Sequence, residues 1–184
     1  YSPIPLVSGQ KRPLLKDWTK YKEAPIENLE LFTTDSLGLV CGYNGLEVLD
    51  IDAKKFDRNV LIAARGLHDT IRNYLHVEPV LKASGSKGVQ IIFKLNFDEN
   101  VEEHIALKNM ENLAYTLYKI TTPEVRKRIR FDEKPGIDCA MFTKRRMLRS
   151  FCKHLGSNMF SVPYKYEDDF NTVKKRINLE VPLI

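Results

Sequence analysis

The seven residues Leu46-Glu47-Val48-Leu49-Asp50-Ile51-Asp52 limit this chain more than any other stretch. They form an apolar run that ends on two acids, the pattern of a strand leaving a core. Side chains alternate across a strand, so Asp50 and Asp52, two positions apart, point to one face. Two like charges held that close repel unless a cation lies between them. Hard divalent ions such as Mg²⁺ take oxygen ligands of this kind. The same two acids also fit a plain solvent-facing strand end. Ahead of them, LGLVCGY (37–43) is a second apolar run, joined through Asn44-Gly45. That dipeptide favours the two-residue turn of a tight hairpin, because both positions take positive φ. The expectation is a β-hairpin over 37–52.

The rest of the chain alternates between the two hydrophobic periods. Phe56, Val60, Ala63, Ala64, Leu67, Ile71 and Leu75 have helical spacing over 56–75, which sets His68 and Arg72 toward a more polar face. PVLKA, SGSKG and VQIIFKL (79–95) repeat a strand–turn–strand pattern. A second helix is expected over 101–120, a short basic helix over 123–130 and a closing helix over 166–178. IDCAMF (137–142) and MFSVPY (159–164) are expected as strands. Residues 3–16 read as an extended segment broken by prolines, followed by short helices at Trp18–Tyr21 and, after Pro25, at Ile26–Phe32. The sum is an α+β domain with mixed or antiparallel, hairpin-built sheets flanked by helices, rather than a chain of βαβ units. A length of 184 residues suits one domain spanning 1–184. Such a domain buries roughly two-thirds of its unfolded surface and needs no disulfide or metal to fold.

Composition removes several classes. No apolar run approaches the roughly 20 residues of a spanning helix, so no membrane partner is expected. Cys41, Cys139 and Cys152 are too few and odd in number for a disulfide framework, which points to a reducing, cytoplasmic compartment. They form no CxxC pair and, with His154, no convincing zinc set, so they read as small buried residues. Neither a Gly-x-Ser-x-Gly elbow nor a dinucleotide fingerprint is present. The net charge is a mild +5, but residues 11–22 carry +4 and residues 122–154 carry +6 against −5 elsewhere. Charge concentrated in this way suits a polyanion partner. It also fits an unevenly charged solvated surface.

Two further constellations carry chemistry. In Ser84-Gly85-Ser86-Lys87-Gly88 the glycines permit close backbone approach, the serines offer hydroxyls and Lys87 a point charge, a set that can hold a phosphate. The glycine spacing is not that of the nucleotide-binding P-loop, and a plain hairpin turn has the same composition. Later, Asp138 is followed by Lys144, Arg145, Arg146, Arg149, Lys153 and His154. One acid before a basic run suits a metal ligand beside a triphosphate clamp. It equally suits a basic surface helix with Asp138 in a turn.

Taken in order, the three constellations resemble the archaeo-eukaryotic primase superfamily, and most of all the primase-polymerase domains carried by archaeal plasmids, viruses and mobile elements. LEVLDID (46–52) is similar to the family's acid pair, SGSKGVQIIF (84–93) to its Ser-Gly-x-Arg/Lys-Gly-x-His turn, and GIDCAMFTKRRMLRSFCKHLGSNMFSVPY (136–164) to its later single acid. Arg149-Ser150, His154 and Ser161-Val162-Pro163 follow the layout of that third motif, and PLVSGQKRPLLKDWTKY its N-terminal opening. The resemblance runs from about Pro5 to Pro163. It implies an RRM-like core and template-directed nucleotidyl transfer, as DNA primase, DNA polymerase or both. Asp50, Asp52 and Asp138 would hold two Mg²⁺ or Mn²⁺ ions, one activating a 3′-hydroxyl and the other stabilising the leaving pyrophosphate. Ser84, Ser86, Lys87, Gln90, Arg149 and His154 would bind an NTP or dNTP. Arg126, Lys127, Arg128 and Arg130, with Lys144, Arg145 and Arg146, would follow a single-stranded DNA template. Trp18 and Tyr21 are placed to stack on a base or to pack on the core. A helicase domain or a second primase subunit is a further partner, and a first residue Tyr1 suits a piece of a longer replication protein.

One position departs from the family. Gln90 stands where the second motif ends in His, and it donates a hydrogen bond without carrying charge. The competing class is a non-catalytic, degenerate primase-like nucleic-acid-binding subunit or replication initiator. Three retained acids argue against that class and Gln90 argues for it. A nuclease built on the same carboxylates is a third reading, and the phosphate-binding groups favour nucleotide binding over it.

Overall fold

A computed structural model of the chain describes residues 4–7, 10, 12–18, 36–42, 46–98, 100–143, 146–153 and 159–180, with Arg149, Phe151 and Cys152 described in backbone only. Their order is β1 (Ile4–Pro5), β2 (Leu37–Cys41), β3 (Leu46–Asp52), α1 (Arg58–Leu75), β4 (Val80–Ala83), β5 (Val89–Lys94), α2 (Glu103–Ile120), α3 (Pro123–Arg128), β6 (Arg130–Phe131), β7 (Gly136–Ile137), β8 (Arg146–Lys153), β9 (Phe160–Pro163) and α4 (Phe170–Ile177). The strands join in the order β1-β2-β8-β9-β4-β5-β3-β7-β6. Pairing is antiparallel except between β6 and β7. This is the expected mixed α+β architecture, and β4–β5 is the expected hairpin over 79–95; β8, a strand pairing with β9, falls in the basic run that follows Asp138. The expected short helix at Ile26–Phe32 and all of the one at Trp18–Tyr21 except Trp18 lie outside the described residues.

Period-2 burial divides the central strands into two faces. Leu49 and Ile51 of β3, Leu81 and Ala83 of β4, and Val89, Ile91 and Phe93 of β5 enter one core with Leu67 and Ile71 of α1, Met110 and Leu117 of α2, and Val173 of α4. α1 forms where its periodicity predicts. Asp57 caps it by accepting from the Asn59 and Val60 amides at 2.9 and 3.2 Å, and His76 ends it in the left-handed region at φ 54°. Thr122 and Pro123 start α3, and Asp169 caps α4. Among the described residues no helix is long and apolar enough to cross a membrane.

Three expectations are corrected. The runs 37–41 and 46–52 do not form a hairpin with each other: β2 pairs with β8, and β3 pairs with β5 along its length and with β7 at its end. The chain does reverse there, since the Gly42 amide donates to Leu46 O at 2.9 Å, but Asn44 and Gly45 lie outside the described residues. A turn dipeptide fixes a local reversal. Register is fixed by burial, and β3 buries both Val48 and Leu49, which needs cover on two faces. Second, the expected strand 137–142 ends after Ile137. Asp138 Oδ1 accepts from the Ala140 amide at 2.9 Å and turns Cys139–Phe142 into a 3₁₀ helix, a local side-chain bond competing with the ladder. Third, His68 is buried rather than on a polar face. Its ring lies 5.0 Å from that of Tyr166, with Nδ1 3.3 Å from Asp69 Oδ1 and Nε2 3.6 Å from Glu78 Oε1. Arg72 is exposed, as its helical position predicts.

The segment entering α4 is tied down by a forked ion pair. Arg176 donates to both oxygens of buried Asp168, at 2.7 and 3.1 Å, and the Lys165 amide donates to the same carboxylate at 2.9 Å. Burial pushes the Asp168 carboxyl up, but the hydrogen bonds and charge of Arg176 and the Lys165 amide outweigh it and hold it below the usual carboxylate range. A lowered folded-state value gives stability that is full above the unfolded value of about 3.9 and is lost as pH falls through and below it. Asp168→Asn is expected to be less stable than wild type at pH 7, with the two urea-unfolding curves converging between pH 5 and pH 3. An unchanged gap over that range would exclude the ion pair as its source.

Candidate functional site

The register of four neighbouring strands lines up one row of polar residues. Asp50 lies opposite Gln90, and Gln90 opposite Lys82. At the end of β7 the Asp138 amide donates to Asp50 O at 2.9 Å, which sets Asp138 beside Asp50. The row Asp138–Asp50–Gln90–Lys82 therefore lies on the face opposite the helices, and cross-strand neighbours of this kind sit about 5 Å apart. On the same face, Cys41 of β2 and Leu148 of β8 pack on Val48, with Ile92 beside them. They cover one half of the face and leave the other as a cleft of about 470 Å³, lined by Asp50, Asp52, Asp138, Gln90 and the loop between β4 and β5. All three predicted acids thus line a single cleft.

That loop is Ser84–Gly88. Ser84 closes it in both directions: its amide donates to Gly88 O at 3.0 Å, and its Oγ accepts from the Gly88 amide at 3.1 Å. Gly85 has φ 77°, and a Cβ there would stand 2.7 Å from the Ser161 amide nitrogen of β9. A Cβ on Gly88 would collide with the Ile51 carbonyl oxygen of β3. The two glycines let the loop press against backbone on both sides, and Ser86 and exposed Lys87 complete the cleft wall.

Two lysines at the site escaped the sequence reading. Lys134 pairs with Asp52, and the hydrogen bond and charge of Asp52, with the charges of Asp138 and Asp50, raise its ammonium above the ordinary lysine value. Lys82 is buried and donates to Gln90 Oε1 at 2.9 Å and to Ser161 Oγ. The one signal for Lys82 was a lysine inside an otherwise apolar strand, VLKA, on the face opposite Leu81 and Ala83. Nothing in the sequence around Lys134 pointed at Asp52. As for the cysteines, Cys41 is buried and Cys139 half-buried, with its thiol pushed up to about 12 by burial and by Asp132, so it stays protonated.

Among the described residues no three His, Cys, Asp or Glu side chains are gathered tightly enough to hold a metal ion. The donor set still fits one in kind: three hard carboxylates line one cleft, and a cation already neutralises one of them, the Lys134 ammonium on Asp52.

The predicted basic residues divide. Arg126 donates to Lys119 O and, at 2.7 Å, to Thr121 O, and Arg130 to Arg126 O, so both hold the backbone around α3. Arg128 bonds Asn59 and, at 2.8 Å, Glu124, and Arg146 bonds Ala140 O at 2.9 Å. Lys127 instead lines a second cleft, of about 520 Å³, with Lys54, Lys55 and Arg128 over an apolar floor of Ala53, Val60 and Pro135. Ala53 and Lys54 line both clefts, so the two adjoin. Lys144, Arg145 and His154 lie outside the described residues, as does the side chain of Arg149, whose backbone pairs with Gly38. Trp18 packs beside Ile4, Leu6, Val40 and Met147, and Tyr21 lies outside the described residues.

Gly88→Ala is expected to force β5 away from β3 and to cost about 1–3 kcal/mol in urea unfolding. A change under about 0.5 kcal/mol would show that the loop yields at little cost.

No protein-family model and no curated protein matches the chain. Among solved structures it is similar to the polymerase domain of ligase D from Mycobacterium tuberculosis, in complex with DNA, with a TM-score of 0.50 and 11% identity over 80% of this chain. The chain spans 63% of the length of that neighbour. At this identity the likeness is one of fold: the chain shares the mixed α+β architecture of a polymerase domain.

Proposed function

We propose that this chain catalyses template-directed nucleotidyl transfer, as a DNA primase, a DNA polymerase or both. One observation carries the reading: three segments far apart in sequence bring Asp50, Asp52, Asp138 and the Ser84–Gly88 loop to one cleft. The polymerase-domain fold of the neighbour, which is bound to DNA, supports it. Asp50, Asp52 and Asp138 would hold Mg²⁺ or Mn²⁺, with Asp52 releasing Lys134. Bound there, the ions would supply positive charge against the triphosphate and the entering 3′-oxygen. Ser84, Ser86, Lys87 and Gln90 would hold the triphosphate of an NTP or dNTP, together with Arg149 and His154. The 3′-oxygen bonds to the α-phosphorus as the bond to the bridging β-phosphate oxygen breaks, pyrophosphate leaves with the electron pair, and the hydroxyl proton passes to solvent.

The second cleft adjoins the first and would carry the nucleic-acid strand. Lys54, Lys55 and Lys127 are exposed on its rim, and its apolar floor suits a sugar or base. Arg128 lines this cleft through its bonds to Asn59 and Glu124, and Arg126, Arg130 and Arg146 would add charge to the wider surface that follows the template. Lys144 and Arg145 extend the same set in sequence. A single-stranded DNA template is the partner this charge fits, and a helicase domain or second primase subunit would act on the same strand.

Incorporation of nucleotides on a primed single-stranded template with Mg²⁺ or Mn²⁺ tests the reading. The chain is expected to extend the primer, and Asp50→Ala with Asp52→Ala to lower the rate at least about a hundredfold. No incorporation by the intact chain, or full activity of the double variant, would end it. For the strand path, Lys54→Ala with Lys127→Ala is expected to weaken single-stranded DNA binding equally for all sequences. It should also reduce the slope of log K against log salt by about 1.4, roughly 0.7 for each phosphate that a lysine no longer neutralises. An unchanged slope would remove the second cleft from the path.

A further inference from the structure

Behind the cleft face lies the buried Lys82, and its bonds fix what Gln90 offers a ligand. An ammonium has three donors and no acceptor, so a glutamine bonded to it must turn its Oε1 toward it. That is the arrangement found: Lys82 Nζ donates to Gln90 Oε1 at 2.9 Å. The opposite end of the amide, Nε2, then faces away from Lys82. Gln90 lines the cleft, and its Nε2 has no partner among the described residues and is not sealed from it. Lys82 is itself held from behind. It donates to Ser161 Oγ, and Ser161 Oγ donates to Ala83 O at 3.3 Å, so β9, β4 and β5 share one chain of hydrogen bonds. Both Lys82 and Ser161 are buried. A donor bonded to the carbonyl end of an amide polarises it and strengthens its N–H groups as donors. A neutral glutamine that could have turned either end outward is thereby locked as a hydrogen-bond donor.

We propose that Lys82 is a positioning residue that sets Gln90 as an anion-directed donor, and that the group it meets is a phosphate oxygen of the nucleotide. This rests on the nucleotidyl-transfer reading for the identity of the ligand. Lys82 does not line the cleft and acts through Gln90, whereas the Ser84–Gly88 loop and Lys87 meet the ligand from the adjoining wall. A hydrogen bond to a charged group is worth roughly 10- to 100-fold in affinity, so loss of the lock is expected to be felt on that scale.

The test measures ATP and dATP binding by isothermal titration calorimetry with Mg²⁺, on the wild type, Lys82→Met, Gln90→Ala and the double variant. Circular dichroism checks each fold. Lys82→Met is expected to weaken binding about tenfold or more, Gln90→Ala to do the same, and the double variant to be no weaker than Gln90→Ala alone. That non-additivity separates action through Gln90 from general loosening. In steady-state assays the variants are expected to raise KM more than they lower kcat, a split that a loss of packing would not produce. Nuclear magnetic resonance on the wild type keeps the proposal open to refutation if Lys82→Met fails to fold. The Gln90 side-chain amide signal, assigned by its loss in Gln90→Glu, is expected to shift on adding ATP and on adding inorganic triphosphate. Wild-type affinity in Lys82→Met, multiplying effects in the double variant, or an amide signal unmoved by saturating ATP would each overturn it. If the wild type binds neither nucleotide, the function reading fails with it. If the wild type binds and the variants are unaffected, only the role of Lys82 fails.

Discussion

The site depends on β3 lying between β5 and β7. A strand with partners on both edges has its register fixed twice, and alternation then sends Leu49 and Ile51 to the helices and Asp50 and Asp52 to the opposite face. A slip of one residue would put both carboxylates into the apolar core. The same ladders bring in the remaining groups: β5 sets Gln90 against Asp50, β4 sets Lys82 against Gln90, and the end of β7 delivers Asp138. The helices stabilise this arrangement from behind, and they do so without entering the cleft.

Charge in the cleft is balanced by lysines rather than left as bare repulsion. Lys134 sits on Asp52 and senses Asp50 and Asp138, while Lys82 lies at the far end of the row beneath Gln90. Three carboxylates on one face are costly unless cations neutralise them. An ammonium that pairs from an exposed turn is readily displaced, whereas a buried one held by Gln90 and Ser161 is not. The cleft thus holds one removable cation, Lys134, on its acid side, and a buried lysine that reaches it only through Gln90.

Local signals in the sequence were enough for the elements whose hydrophobic periodicity is clear. α1, α2, β4–β5 and the acid pair all follow from spacing, and Gly85 and Gly88 mark a loop where backbone must approach backbone. What the sequence withheld was pairing between distant segments. Asn44-Gly45 suggested a hairpin, but burial on both faces of β3 sent its two flanking runs to different partners. Asp138 was legible as an acid and not as the cap that ends a strand. Lys82 left only a lysine in an apolar strand as its signal and Lys134 none, because their roles arise only when β4 and the 132–135 turn meet β3 and β5. The arginines of 126–130 looked alike in sequence, yet their bonds to backbone set them apart from Lys127, which a charge count cannot reveal.

The most direct measurement is anomalous diffraction from crystals of the chain soaked in Mn²⁺ with a non-hydrolysable nucleotide. Nucleotidyl transfer at this cleft predicts Mn²⁺ peaks bounded by Asp50, Asp52 and Asp138, with Lys134 moved off Asp52 and the triphosphate against Ser84–Gly88. Mn²⁺ bound away from these three acids, or a nucleotide seated outside the cleft, would contradict it.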